Sequence, residues 1–130
     1  MSLQIALSRT DPQLTALTIV TALCIAANAF IVVADLAKAR FVLANSAEVG
    51  LRPAAIPYLA ALKGAGAVGL AIGLAGIPAL GLAAGVGLVA FFVGAVVAHL
   101  RARVLHNIGF PLCFLALAVG ALTHFASVTF

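Results

Sequence analysis

Four long apolar runs, each with a proline at or near its start, dominate the pattern of hydrophobic and polar positions along the chain. A helix that crosses a bilayer needs about 20 mostly apolar residues, and proline is well tolerated in the first turn of a helix. The pattern therefore predicts an all-α integral membrane protein, a four-transmembrane-helix bundle with short loops that forms a single transmembrane domain over residues 1–130. The predicted spans cover about residues 12–37, 54–75, 79–98 and 109–127.

The composition agrees with a membrane location. Of the 130 residues, 65% are hydrophobic and 8% are charged, whereas a soluble domain is roughly half apolar and a quarter charged. The polar side chains are too few to cover a surface that faces water. The net charge of +4 is modest, and no aromatic–basic interleaving or recognition motif is present, so we expect no nucleic-acid partner.

The longest connection between predicted spans, residues 38–52, has its own amphipathic pattern. We expect a short helix here that lies at the membrane interface, because its apolar and charged residues fall on different sides. Its apolar side would carry Phe41, Val42 and Leu51, and its polar side would carry Lys38, Arg40 and Glu48.

The basic residues indicate an orientation. With four spans, both termini lie on one side of the membrane and the two longer loops lie on the other. The terminal side carries Arg9 alone, and Lys and Arg remain in the cytoplasm. The sequence therefore predicts a multi-pass protein of the cell membrane with both termini outside and both basic loops in the cytoplasm. Those loops carry Lys38, Arg40, Arg52, Arg101 and Arg103.

Small residues predict a close contact between the second and third spans, which are joined by the tight turn Gly76–Pro78. Helices in a bilayer associate where small residues let their backbones approach. The predicted row on the second span is Ala61, Ala65, Gly69 and Gly73, and on the third span it is Gly81, Gly85, Ala90, Gly94 and Ala98.

Polar residues inside the spans are the candidate site. Asn28 and Asp35 share one face of the first span with Thr21, because the three recur every seven residues. Lys63 lies ten residues after Pro53, which places it about 15 Å along its helix. That distance puts Lys63 near the centre of a hydrocarbon core roughly 30 Å thick.

The leaning of helical side chains predicts a partner for Lys63. Side chains lean toward the N-terminus of their own helix, so Lys63 and Asp35 lean toward each other across an expected Cα depth difference of about 10 Å. We expect Lys63, Asn28 and Asp35 to form a polar cluster inside the bundle, since a lysine at the membrane centre costs roughly 2.5–3.5 kcal/mol. The alternatives are a Lys63 that reaches the cytoplasmic headgroups or a neutral amine.

The end of the third span adds His99 and Arg101 as ligand-binding candidates. Headgroup anchoring is the simpler role for Arg101. A membrane haem usually needs two histidines at matched depth on different helices, but His99 and His124 are expected on opposite sides of the membrane, so no metal site is predicted. Cys24 and Cys113 fit as small apolar residues.

Three stretches carry a resemblance to a known family. "FVLANSAEVGL" follows the first span, "YLAALKGAGAVGLAIGL" fills the second, and "FFVGAVVAHLRAR" closes the third. With the four-span layout, they make roughly residues 15–122 similar to the DoxX-like family of small bacterial membrane proteins. The resemblance implies polar residues at Lys63, His99 and Arg101, and a location in the bacterial inner membrane. In that family an acidic residue often follows the H-x-R stretch, whereas "VLHN" follows here.

The resemblance also implies a role, because members of the group are linked to membrane redox systems, including thiosulfate oxidation with quinone as acceptor. We therefore expect an accessory or anchor subunit of a redox system, with a quinone or lipid site between helices as a candidate. No catalytic constellation is evident from the residues, so an activity of its own is not assigned. Candidate partners are the lipid bilayer, a membrane or soluble redox protein, and a second copy. The alternatives are a small four-helix transporter and a purely structural or lipid-binding membrane protein.

The orientation is testable by labelling single cysteines in a cysteine-free background on intact cells. A cysteine at Ser2 or Thr129 should react with an impermeant thiol reagent from outside, and one at Ser46 should not. Labelling at Ser46 from outside would reverse the predicted orientation and leave the four spans intact.

Overall fold

The computed structural model describes residues 11–130, and its helices agree with the predicted spans. Arg9, used in the charge comparison, and Ser2, proposed for labelling, lie outside the described residues. The four long helices are apolar enough to cross a membrane, which confirms the all-α four-helix membrane fold. The elements are α1 (Pro12–Leu36), α2 (Arg40–Glu48), a 3₁₀ turn (Pro53–Ala55), α3 (Ile56–Ala75), α4 (Pro78–Arg101) and α5 (Gly109–Thr129).

The four long helices form a closed up-and-down bundle. Helix α1 packs against α3 and α5, and α4 packs against the same two helices. All four helices contribute to a shared core, because each buries a stripe of small or apolar side chains on its inner face. This core consists of Cys24, Leu70, Leu88, Phe92, Ala118, Ala121 and Phe125.

The close contact between α3 and α4 is present near the turn that joins them. A Cβ atom added at Gly73 would lie 2.6 Å from the Cα of Gly81, and one added at Gly69 would lie 2.6 Å from the Cβ of Ala84. Because glycine has no side chain, these positions allow the two helices to approach more closely than any other residue would permit.

The contact does not follow the whole predicted row. Ala61 and Ala65 are exposed, and the contact continues through Gly66, where an added Cβ would overlap the side chain of Leu88. The prediction was wrong here because steps of four residues overshoot a turn of 3.6 residues, so the row rotates away from the partner helix.

The predicted row on α4 also changes partner along its length. Gly85 faces Leu122 of α5, and a Cβ added at Gly94 would meet nothing within 4 Å. Helices α3 and α4 are therefore tightly packed near their turn and leave open space toward the other end.

The two longer loops meet at one end of the bundle. The Asn107 side-chain amide donates to Oδ1 of Asn45 at 3.0 Å, and Nε2 of His106 lies 3.1 Å from a carboxylate oxygen of Glu48. These contacts place both loops on one side, as four spans require. Ser46 is half-buried and Ala47 beside it is exposed, which makes Ala47 the better labelling position.

Helices α1 and α4 end in the same way at this loop end. The Ala39 N–H donates to the carbonyl of Ala34 and the Val104 N–H to that of His99, the 6→1 bond of a Schellman motif. The left-handed position usually occupied by glycine is Lys38 at φ +54° and Arg103 at φ +57°. A side chain there costs roughly 1–2 kcal/mol, yet both positions carry an exposed positive charge.

The hairpin contact predicts the effect of adding one methyl group. Gly73→Ala should lower the thermal stability of the detergent-solubilised protein, because its Cβ cannot fit 2.6 Å from the Gly81 backbone without moving the helices apart. Gly87→Ala is the matched control, since an added Cβ there meets nothing within 4 Å. Equal melting temperatures for the two variants would contradict the contact.

Candidate functional site

A buried ion pair joins α1 to α3. Nζ of Lys63 lies 2.6 Å from Oδ2 of Asp35, and the two side chains are 11% and 5% exposed. The short separation of opposite charges makes this a salt bridge, and no further donor to Oδ2 is present among the described residues. The expected pairing of Lys63 with Asp35 is present, while its role in function stays a prediction.

The pair lies at nearly equal height on the two helices. A Cβ added at Gly64 would lie 3.9 Å from both methyl groups of Val32, so Gly64 lies opposite Val32. Lys63, one residue earlier on the antiparallel helix, therefore lies opposite Val33. Because the helices are antiparallel, the Lys63 and Asp35 Cα atoms then differ by about two residues, or about 3 Å. The expected difference of about 10 Å was wrong, because it assumed that α1 ends level with the start of α3. Helix α3 instead extends past that end, where Ile56 packs beside α2.

The ion pair lies in the wall of a cavity of about 440 Å³ between the loop-side halves of the helices. Most of the lining is apolar, and much of it is aromatic. The Lys63 ammonium lies 5.7 Å from the centre of the Phe91 ring, within the range of a cation–π contact. Phe92 stacks on Phe114 with ring centres 5.1 Å apart. The aromatic residues that line the cavity are Phe41, Phe91, Phe92, Phe110 and Phe114.

Helix α2 covers the cavity and adds polar groups to it. Val42 is buried against Ala34 and Ile56, and the bond from Asn107 to Asn45 ties α2 to the opposite loop. Asn45 and Ser46 line the same cavity as the pair. Sequence reasoning did not select either residue, because it interpreted the amphipathic pattern of residues 38–52 only as a helix at the membrane interface.

Asn28 is not brought to the ion pair. Its amide donates to the carbonyl of Cys24 at 2.9 Å and contacts the Cys24 sulfur at 3.5 Å, both within α1. Two helical turns separate Asn28 from Asp35, or about 10.5 Å along the axis. The expectation that Asn28 joins the cluster is therefore wrong. Its Oδ1 is buried without a partner among the described residues.

His99 and Arg101 also lie away from the cavity wall. A ring nitrogen of His99, Nδ1, is 2.8 Å from the carbonyl of Ala95 in the same helix, and Arg101 is exposed. Within residues 11–130, no group of three or more His, Cys, Asp and Glu side chains is placed to hold a metal ion. The arrangement at the cavity offers an ammonium donor, a carboxylate acceptor and aromatic surface.

The pairing predicts an energetic coupling between two substitutions. Asp35→Asn should destabilise the protein by about 3–5 kcal/mol, because a buried ammonium loses its partner. The same change in a Lys63→Met background should have a smaller effect, with a coupling of about 1–3 kcal/mol from unfolding in detergent. A coupling near zero would show that the two groups contribute independently.

A family model described as the DoxX-like family matches residues 19–121, nearly the range over which the sequence resembles it. No curated protein and no solved structure matches the chain. The matched region includes α2 and α3 and reaches from α1 into α5, and so covers most of the described bundle. This integral membrane protein therefore belongs to the DoxX-like family.

Proposed function

We propose that this protein is a non-catalytic accessory or anchor subunit of a membrane-associated redox system and that it binds a quinone in the cavity beside Lys63. The observation that carries the proposal is an ion pair set in the wall of a largely apolar, aromatic cavity. Ligand pockets are usually apolar with a few polar groups that orient the ligand. The redox assignment itself rests on what the family resemblance implies.

The size and lining of the cavity suit a quinone ring. A volume of about 440 Å³ is in the range of small-molecule pockets, about 300–1,000 Å³. Phe91, Phe92 and Phe114 offer aromatic surface for the ring, and aromatic pairs favour stacked or edge-on packing. The Lys63 ammonium has three N–H donors, and one of them can donate to a quinone carbonyl. The cavity is partly open, which leaves a way out for an isoprenoid tail.

The described helices favour this role over transport. Secondary transporters typically form their substrate site with helices that are interrupted near the middle of the membrane. Helices α1, α3, α4 and α5 each run without a break through their spans. The exposed basic residues around α2 and the Ala102–Ile108 loop offer a surface for a redox partner with acidic groups.

Filling the cavity tests the quinone site. Gly94 lines it, and a Cβ atom added there meets nothing within 4 Å, so we expect Gly94→Leu to fold and to place its larger side chain in the ligand space. We expect the purified protein to bind decylbenzoquinone in equilibrium dialysis, and Gly94→Leu to bind it at least about tenfold more weakly, a loss of about 1.4 kcal/mol.

The control lies on the same helix face. Gly87 is seven residues earlier, is equally open, and lines a different groove, so Gly87→Leu should retain binding. Equal affinity of Gly94→Leu and the unmodified protein would remove the cavity as the quinone site. A native extract that contains phospholipid but no quinone would favour the lipid-binding alternative.

A further inference from the structure

The cavity contains one cation and one anion, and they neutralise each other. Its polar lining residues are Lys63, Asp35, Asn45 and Ser46. The first two form the ion pair at 2.6 Å, and the other two are uncharged. The basic residues of the loops are exposed and do not line the cavity. The net charge that a ligand meets inside is therefore zero.

Charge balance decides which headgroups this site accepts. An anionic headgroup that approaches the Lys63 ammonium also approaches the Asp35 carboxylate, and like charges repel strongly where water is largely excluded. A cationic headgroup meets the same obstacle from Lys63. A carbonyl group meets neither, because the ammonium has three donors and can donate one without leaving Asp35.

We infer that the Lys63–Asp35 pair makes this cavity selective for neutral amphiphiles with a carbonyl headgroup, and that it excludes anionic and cationic amphiphiles of the same chain length. The inference rests on the proposed function and deepens it, since it names the feature of the site that selects its ligand. Lys63 donates to the ligand, and Asp35 sets the charge that the ligand must have.

A different arrangement would be expected of a purely structural ion pair. Such a pair is enclosed by protein, because each group that is taken out of water needs its remaining hydrogen-bonding capacity filled. Here both side chains line open space between helices. The pair therefore borders the space that a ligand would occupy.

Three probes built on an unbranched eleven-carbon chain test the inference at pH 7.5 in an uncharged detergent. They are 2-undecanone, undecanoate and undecyltrimethylammonium, each isotopically labelled and dialysed against protein-containing and empty micelles. Empty micelles correct for partition into detergent. We expect the unmodified protein to bind 2-undecanone at least about tenfold more tightly than either charged probe, or about 1.4 kcal/mol.

Two variants change the charge that the cavity presents. Asp35→Asn leaves the ammonium unpaired, so the preference should shift toward undecanoate by at least about tenfold. The double variant Asp35→Asn with Lys63→Met is neutral and avoids an unpaired charge, so it tests the same rule even if Asp35→Asn does not fold. It should gain no affinity for undecanoate.

The outcomes separate this inference from the proposed function. The charge rule states that the net charge of the cavity selects neutral ligands. It would be overturned if undecanoate bound the unmodified protein as tightly as 2-undecanone does. It would also be overturned if undecanoate bound the neutral double variant more tightly than the unmodified protein. If that result came with binding of decylbenzoquinone, the quinone site would still stand. If 2-undecanone bound selectively and decylbenzoquinone did not, the charge rule would stand and the quinone proposal would fail.

Discussion

The absence of water inside a bilayer is the constraint on which this structure depends. The Lys63 side chain is 11% exposed, and a charge so far removed from water requires a partner from the protein itself. Asp35 supplies it at 2.6 Å, and that requirement sets the height of α1 against α3. Because α3 extends past the end of α1, the pair lies beneath α2, and the short helix becomes part of the site.

The lipid that surrounds the helices also explains the position of the cavity. Lipid gives no hydrophobic force that closes gaps between helices, so contacts depend on side-chain size. Gly69, Gly73 and Gly81 bring α3 and α4 together near their turn. Toward the loops, the large side chain of Phe91 lies beside Lys63 of α3, and space remains between the helices. Tight packing at one end and a cavity at the other are two results of one pattern of residue size.

The sequence predicted the spans well because length, hydropathy and prolines are local signals. It also predicted the pairing of Lys63 with Asp35, since the direction in which helical side chains lean follows from the chain direction. It could not predict the height at which the helices meet, and so it misjudged their depth difference and included Asn28. The aromatic wall and Asn45 depend on contacts between distant segments, for which a single sequence has no local signal.

Helix α2 links the charged end of the molecule to the buried pair. It stays in place through Val42, which packs on Ala34 and Ile56, and through the bond from Asn107 to Asn45. Both contacts depend on how α1 and α4 end, because Lys38 and Arg103 turn the chain sharply at these two helix ends. Glycine would turn the chain there with less strain, but it would remove two positive charges from the loop side. The chain thus retains strained basic residues where the loops must both turn and carry charge. The turns at Lys38 and Arg103 consequently have two effects: they position helix α2 over the cavity, and they contribute to the basic surface beside it.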